Sequence, residues 1–235
     1  EHHVELAFCL AQKYFSDAVK TYNDNIMWYK FSRNYSPVYL MMKVLLEQGY
    51  SIDALGLQLH MFEHQLNDAK YFLNPSVLYQ CLDLYGQLNI PINFSEVSII
   101  GRHDLGNGDE FQRIVTEKLY RIWFSHAAVN GIIWWNLVDG TAAYAPLGSE
   151  EGENSIRAGL VNYDFTPKPA YQVLQKLIKK EWMTTASLKY SDESTNKFHG
   201  FYGNYELTVQ TEDDFYQKNL KLSKGSLNLY KLKLT

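Results

Sequence analysis

Only two cysteines, Cys9 and Cys81, occur in 235 residues, which gives neither a disulfide framework nor a zinc-ligand spacing. Positive charge is not in excess either. The 22 basic and 26 acidic side chains leave a net charge of −4, so no field exists to hold a nucleic-acid backbone. No apolar run approaches the roughly 18 residues of a membrane span. The amino terminus, Glu1-His2-His3, carries neither a basic stretch nor an apolar segment of the signal type. A Gly-rich phosphate turn after the first strand, the mark of a doubly wound nucleotide-binding sheet, is also missing. Hydrophobic residues at 46% and charged residues at 20% exclude a disordered chain and a collagen-like fibre, and leave a globular protein with a substantial core. What is abundant is aromatic: 15% of the chain, from 18 Tyr, 12 Phe and 5 Trp. A flat apolar face with a polar edge suits stacking on sugars; as composition alone it speaks first for an ordinary core.

Helical spacing begins almost at once, at Val4, Leu6, Ala7, Leu10 and Ala11. A domain seldom starts inside a core helix, so the expectation is a piece of a longer polypeptide. Ala18–Tyr22 predicts a strand ending in the polar stretch Asn23-Asp24-Asn25. Residues 35–48 read as a helix closed by Gly49, and Ile52–Leu59 as a strand. Asn74-Pro75-Ser76 opens a helix running to about Leu88, followed by a strand over Pro91–Ile100. Asp109 to about His126 is a long helix, Gly131–Val138 a fourth strand, Thr141–Arg157 a Gly-, Glu- and Ser-rich loop, and Pro169–Lys180 a last helix. The order over residues 3–181 is therefore one helix and four strand–helix pairs. Near-continuous apolar strands in strict alternation with helices predict an α/β fold with parallel strands covered by helices. A closed eight-stranded barrel takes about 250 residues; four strands are half of one, assigned to residues 1–181. After Trp182 the pattern changes. Phe201–Val209 and Leu227–Leu234 alternate by twos, which predicts a small antiparallel β module over residues 182–235.

Working residues of parallel barrels stand at the C-terminal ends of the strands. Those ends hold Asn23 and Asp24, Gln58 and His60, Glu96 and Ser98, then Trp135, Asn136 and Asp139. An ionised carboxylate in an apolar strand is costly unless something stabilises it, so Glu96 is either a working group or half of an internal ion pair. His60 alone reads as a satisfied core histidine; with Glu96 one strand over, it reads as a hydrogen-bond partner that keeps the carboxylate ionised. Side chains alternate along a strand, so one of Trp134 and Trp135 belongs to the core and the other can floor a cleft.

Gly56-Leu57-Gln58-Leu59-His60, Ile92-Asn93-Phe94-Ser95-Glu96-Val97-Ser98 and Gly131–Gly140, with its Trp134-Trp135-Asn136 core, resemble three strand motifs of glycoside hydrolase family 10, the retaining xylanases. Pro167-Lys168-Pro169-Ala170-Tyr171 resembles the element that closes that family's barrel. Glu5-Leu6-Ala7-Phe8 and Tyr22-Asn23-Asp24 are similar to its fourth helix and fifth strand. The resemblance covers residues 3–181 in order. It implies strands 5–8 of a (β/α)8 barrel, no metal or other cofactor, and β-1,4-linked xylan as substrate. It implies Glu96 as nucleophile, Gln58 and His60 orienting it and the sugar, Trp135 stacking on that sugar, and Asn23 as a further substrate contact. The acid/base would lie on a fourth strand upstream, supplied by an N-terminal half or by a second half-barrel. Secretion, a periplasmic site or the cell surface is the implied location. Two positions depart from the family. Ser98 stands where Asp usually buttresses the histidine. Thr141-Ala142-Ala143-Tyr144 stands where a second Trp is usual, with Tyr144 as its possible replacement. A barrel that holds polysaccharide without cutting it is the competing expectation.

Overall fold

In the computed structural model, four strands run parallel in sequence order: β1 (Thr21–Asp24), β2 (Ala54–His60), β3 (Ile92–Ser98) and β4 (Val129–Trp134). The structure describes residues 2–24, 36–62, 69–104, 106–189 and 195–231. Between the strands come α1 (His3–Tyr14) before β1, then α2 (Pro37–Glu47), α3 (Ala69–Phe72), α4 (Pro75–Gly86), α5 (Gly108–Ser125) and α6 (Pro169–Lys176). The helix starts follow from their caps. Ser36, Asn74 and Asn107 accept the backbone N–H of Tyr39, Ser76 and Glu110, and Pro37 and Pro75 occupy first-turn positions whose N–H has no helical partner. Gly49 takes φ +84° just past α2, a backbone state that disfavours any side chain.

The strand and helix order matches the sequence reading, with four corrections. The first strand begins at Thr21 rather than Ala18, and Val19 is exposed. The fourth begins at Val129 and stops at Trp134 rather than Val138, because Asn136 turns left-handed (φ +59°) and breaks the extended run. The last α-helix ends at Lys176 and passes into a π-helical turn, Leu177–Glu181. The short α3 was not expected. Asn25 and residue 35, at the edges of expected elements, lie outside the described residues.

One sheet face is apolar and carries the core. Leu55, Leu57, Leu59, Phe94 and Val97 are buried there, and Phe94 stacks on Trp123 of α5 with ring centroids 4.1 Å apart. Trp134 lies on this side too, near Tyr120, with Nε1 donating to Ala158 O at 2.9 Å.

The Pro167-Lys168-Pro169 turn contributes a buried cation. Lys168 Nζ stands 3.1 Å from Asp139 Oδ2 and 3.6 Å from Asp109 Oδ1, and donates to Arg157 O at 2.7 Å. Asp139 Oδ1 accepts the Gly159 N–H at 2.7 Å. One ammonium thus ties the start of α5, the segment after β4 and the turn before α6. Burial pushes its pKa down, and the Asp139 carboxylate opposes that shift. Lys168→Met removes the buried cation from both carboxylates and leaves Asp139 with Arg157 at 3.8 Å and Asp109 with His103 at 3.6 Å. The expected cost is about 3–5 kcal/mol, read as a lower urea midpoint at unchanged slope. A midpoint within error of the parent would show that the pair is dispensable.

The chain divides into two compact units, Glu1–Leu174 and Gln175–Thr235. The second holds an antiparallel hairpin, β5 (Gly203–Gln210) and β6 (Phe215–Leu222), closed by Thr211–Asp214. The expected second strand over 227–234 is a correction. Residues 227–231 form no strand, and 232–235 lie outside the described residues. The partner of β5 is instead its immediate neighbour, because a four-residue turn favours local pairing. Asn228, at φ +46°, curls the later segment by bonding Ser223 through both N (2.9 Å) and O (3.0 Å).

Candidate active site

The register of β2 and β3 decides where Glu96 points. Leu55–Leu57 pair with Ile92–Phe94 in step; then the register slips and Gln58 pairs with Glu96, leaving Ser95 as an extra residue. Such a bulge places two successive side chains on one face. Ser95 Oγ donates to Asn23 Oδ1 at 2.5 Å, and Asn23 Nδ2 donates to Glu96 Oε1 at 3.4 Å. Strict alternation would have sent Glu96 to the side of Phe94 and Trp123. Instead it joins Asn23 and Gln58 on the opposite face, at the C-terminal ends of the strands. Gly56 makes room for this arrangement, since a Cβ there would stand 2.7 Å from Asn23 Oδ1.

Donors converge on the carboxylate. Gln58 Nε2 donates to Oε1 at 2.9 Å, and His60 Nε2 stands 3.3 Å from Oε2. His60 is buried, stacked on Phe62 (centroids 4.9 Å, planes 3° apart) and edge-on to Trp135 at 6.1 Å. Its Nδ1 lies 2.9 Å from Ser98 Oγ. An ionised carboxylate only accepts, so the ring proton belongs on Nε2, and Nδ1 accepts the Ser98 hydroxyl. Burial lowers the His60 pKa below its ordinary 6.5, against the raising influence of the Glu96 and Glu153 charges. Below pH 6.5 the unfolded chain therefore takes up a proton that the folded chain resists. Stability present above that pH falls as acidification proceeds toward the lower folded value.

Of the residues singled out in the sequence, Asn23, Gln58, His60, Glu96 and Ser98 meet in one network, with Trp135 beside it. Trp134 and Trp135 face opposite sides, as alternation requires. Tyr144 is not brought into the group: it is fully exposed at φ +64°. Asp24 turns the other way and accepts the Tyr22 hydroxyl at 2.5 Å. Asp139 is the structural partner of Lys168. Three contributors were not foreseen: Ser95, Phe62 and Glu153. Glu153 sits on a 3-10 turn, Gly152–Ile156, and its Oε2 accepts from Trp135 Nε1 and Asn136 Nδ2, each at 3.2 Å. It shares a small cleft with Ser98, Asn136 and Asn154. Among the described residues no His, Cys, Asp or Glu group of three is placed to hold a metal, and no helix is long and apolar enough to cross a membrane.

Residues 1–177 match the family model described as glycosyl hydrolase family 10. Endo-1,4-beta-xylanase B of Thermotoga neapolitana is 26% identical over 184 residues, 76% of this chain and 49% of that protein. The anti-sigma-I factor RsgI6 of Acetivibrio thermocellus is 29% identical over 184 residues, 77% of this chain and 21% of that protein. The crystal structure of native xylanase 10B from Thermotoga maritima superposes with a TM-score of 0.61 at 24% identity, covering 77% of this chain and 52% of that one. The chain thus spans about half the length of these relatives, or less.

Proposed function

The chain belongs to glycosyl hydrolase family 10, and from that premise we propose that residues 1–181 form strands 5–8 of a (β/α)8 barrel that hydrolyses β-1,4-xylosidic bonds with retention. Residues 182–235 are a separate β-rich module. The observation that carries the reading is the carboxylate of Glu96, turned by a bulge to the strand-end face and held by Gln58, His60 and Asn23. These donors fix the orientation of the carboxylate, and a carboxylate so held can attack the anomeric carbon and form a glycosyl-enzyme ester. A protonated carboxylic acid about 5–5.5 Å away must give its proton to the leaving oxygen and then deprotonate the attacking water. We assign that acid/base to an upstream segment that completes the barrel. Trp135 stacks on the sugar, and Asn23 and Gln58 hydrogen-bond it; Tyr144 is proposed as an outer sugar contact reached from the loop.

The test is reducing-sugar release from β-1,4-xylan by the chain joined to an upstream barrel half, with the anomer of the first product followed by NMR. Release with the β-anomer first is expected; inverted product, or none, would sink the reading. A second reading, polysaccharide binding without cleavage, draws on the neutral Ser98 against His60 and on a relative named an anti-sigma factor. Xylan binding without release in the same assay would favour it.

His60→Ala in the completed barrel should slow the reaction roughly 10²-fold, the lower end of what a positioned proton-carrying group contributes. It should also change the pH profile of kcat/KM, because an imidazole whose pKa burial lowers no longer stands beside the carboxylate. An unchanged profile would reduce His60 to a packing residue.

A further inference from the structure

Glu153 is an exposed carboxylate in a loop, yet its position is fixed from both sides. The next residue, Asn154, is buried: its Oδ1 accepts the Ala142 N–H at 2.9 Å and its Nδ2 donates to Pro146 O at 3.2 Å. On the other side, Oε2 of Glu153 takes the side-chain N–H groups of two consecutive residues, Trp135 and Asn136, at 3.2 Å each. Asn136 holds a left-handed backbone, a state asparagine adopts more readily than most non-glycine residues, and the bond from its Nδ2 to Glu153 accompanies that turn. Oε1 receives no hydrogen bond from the described residues.

We propose that Glu153 is a positioning and specificity residue of the sugar site. It fixes the plane of the Trp135 indole as a platform, and its charge selects neutral sugars there over sugars that carry a carboxylate. The inference rests on the xylan reading of Glu96 and Trp135. A charge-assisted N–H···O bond is stronger and more directional than a neutral one, so the indole is held at a set tilt to His60 rather than swinging about its side-chain bonds. The open Oε1 can accept a sugar hydroxyl. A uronic acid stacked on the same indole would bring a second negative charge within a few ångströms of Glu153, with Glu96 repelling in the same sense. In a water-exposed cleft that repulsion amounts to roughly fivefold in affinity.

The 15N-labelled 235-residue chain tests this through the Trp135 indole N–H signal, assigned by its loss in Trp135→Phe. Xylotetraose and a xylotetraose bearing one glucuronic acid are the two probes. The parent should bind the neutral sugar roughly fivefold more tightly. Glu153→Gln, whose amide oxygen still accepts the indole N–H through a weaker neutral bond, should lose the discrimination and weaken the neutral sugar less than Glu153→Ala does. Glu153→Ala should shift the Trp135 indole signal upfield and weaken both sugars. An indole signal unmoved by Glu153→Ala, or equal binding of both sugars by the parent, would overturn the proposal while leaving the xylan reading intact. Failure of both sugars to perturb Trp135 would overturn that reading, and the proposal with it.

Discussion

Replacing Glu96 with Gln in the completed barrel is expected to remove xylan hydrolysis, by on the order of 10⁴-fold or more in kcat, while xylo-oligosaccharide affinity stays largely intact. The magnitude is that of deleting the nucleophile of a covalent hydrolase. An amide is the right size for the site but cannot attack the anomeric carbon. The substitution should also fold, for a reason specific to this network. The amide oxygen can still accept Gln58 Nε2, while the amide NH₂ faces His60 Nε2, which would then have to accept. His60 can oblige by moving its proton to Nδ1, because the partner there is the Ser98 hydroxyl, which accepts as readily as it donates. A carboxylate in that place could only accept, and would hold the proton on Nδ1 whatever stood opposite Nε2. Reducing-sugar assays and isothermal calorimetry on the same preparation separate the two effects. Turnover within about tenfold of the parent, far short of what a lost nucleophile costs, would show that Glu96 is not the nucleophile.

Periodicity carried the order of elements because each parallel strand is covered by a helix and reads as an apolar run bounded by polar turns. It could not carry the strand ends. Val138 looks like strand, but Asn136 breaks the run with a backbone state that no apolar pattern encodes. The hairpin failed for a related reason: alternation marks a segment able to pair, and the short Thr211–Asp214 turn decides which segment it pairs with. At the site, Glu96, Gln58 and His60 were visible as polar intrusions at apolar strand ends. The bulge that turns Glu96 to the strand-end face formed no part of the sequence reading, although a trace of it lies in the apolar pattern. Ile92 and Phe94 keep step, Val97 and Ile99 keep step, and one residue too many lies between the pairs. Glu153 had no such signal. It lies in an irregular loop with several acidic neighbours, and only the fold brings it to Trp135. In the sequence, Lys168 is one member of the Pro167–Tyr171 motif; its role appears when Asp109, Asp139 and Arg157, distant along the chain, close around it.

The 235-residue chain by itself is expected to cleave native xylan at least ~10²–10⁴-fold more slowly than the same chain joined to its upstream barrel half, which is the usual worth of general-acid assistance. Among the described residues, the carboxylates of Asp24, Asp139 and Glu153 also come near the strand ends, and each is committed elsewhere. Asp24 accepts the Tyr22 hydroxyl on the far face, Asp139 is held by Lys168 and the Gly159 N–H, and Glu153 takes two N–H donors. Each carboxylate accepts from groups of the protein itself, whereas a general acid must present its proton to the leaving oxygen. The deficit should depend on the leaving group. A xylosyl alkoxide cannot depart unprotonated, whereas a dinitrophenolate is stable as an anion and needs no acid. With a dinitrophenyl β-xyloside, the isolated chain should release one equivalent of phenol in a burst. It should then stall, because the missing residue is also the base that activates water for the second step. Peptide mass spectrometry should find a xylosyl ester on Glu96 during the stall. Steady xylan turnover by the purified chain, with no upstream fragment present by mass, would place an acid within residues 1–235. A burst with the ester on any other side chain would remove Glu96 from the chemistry.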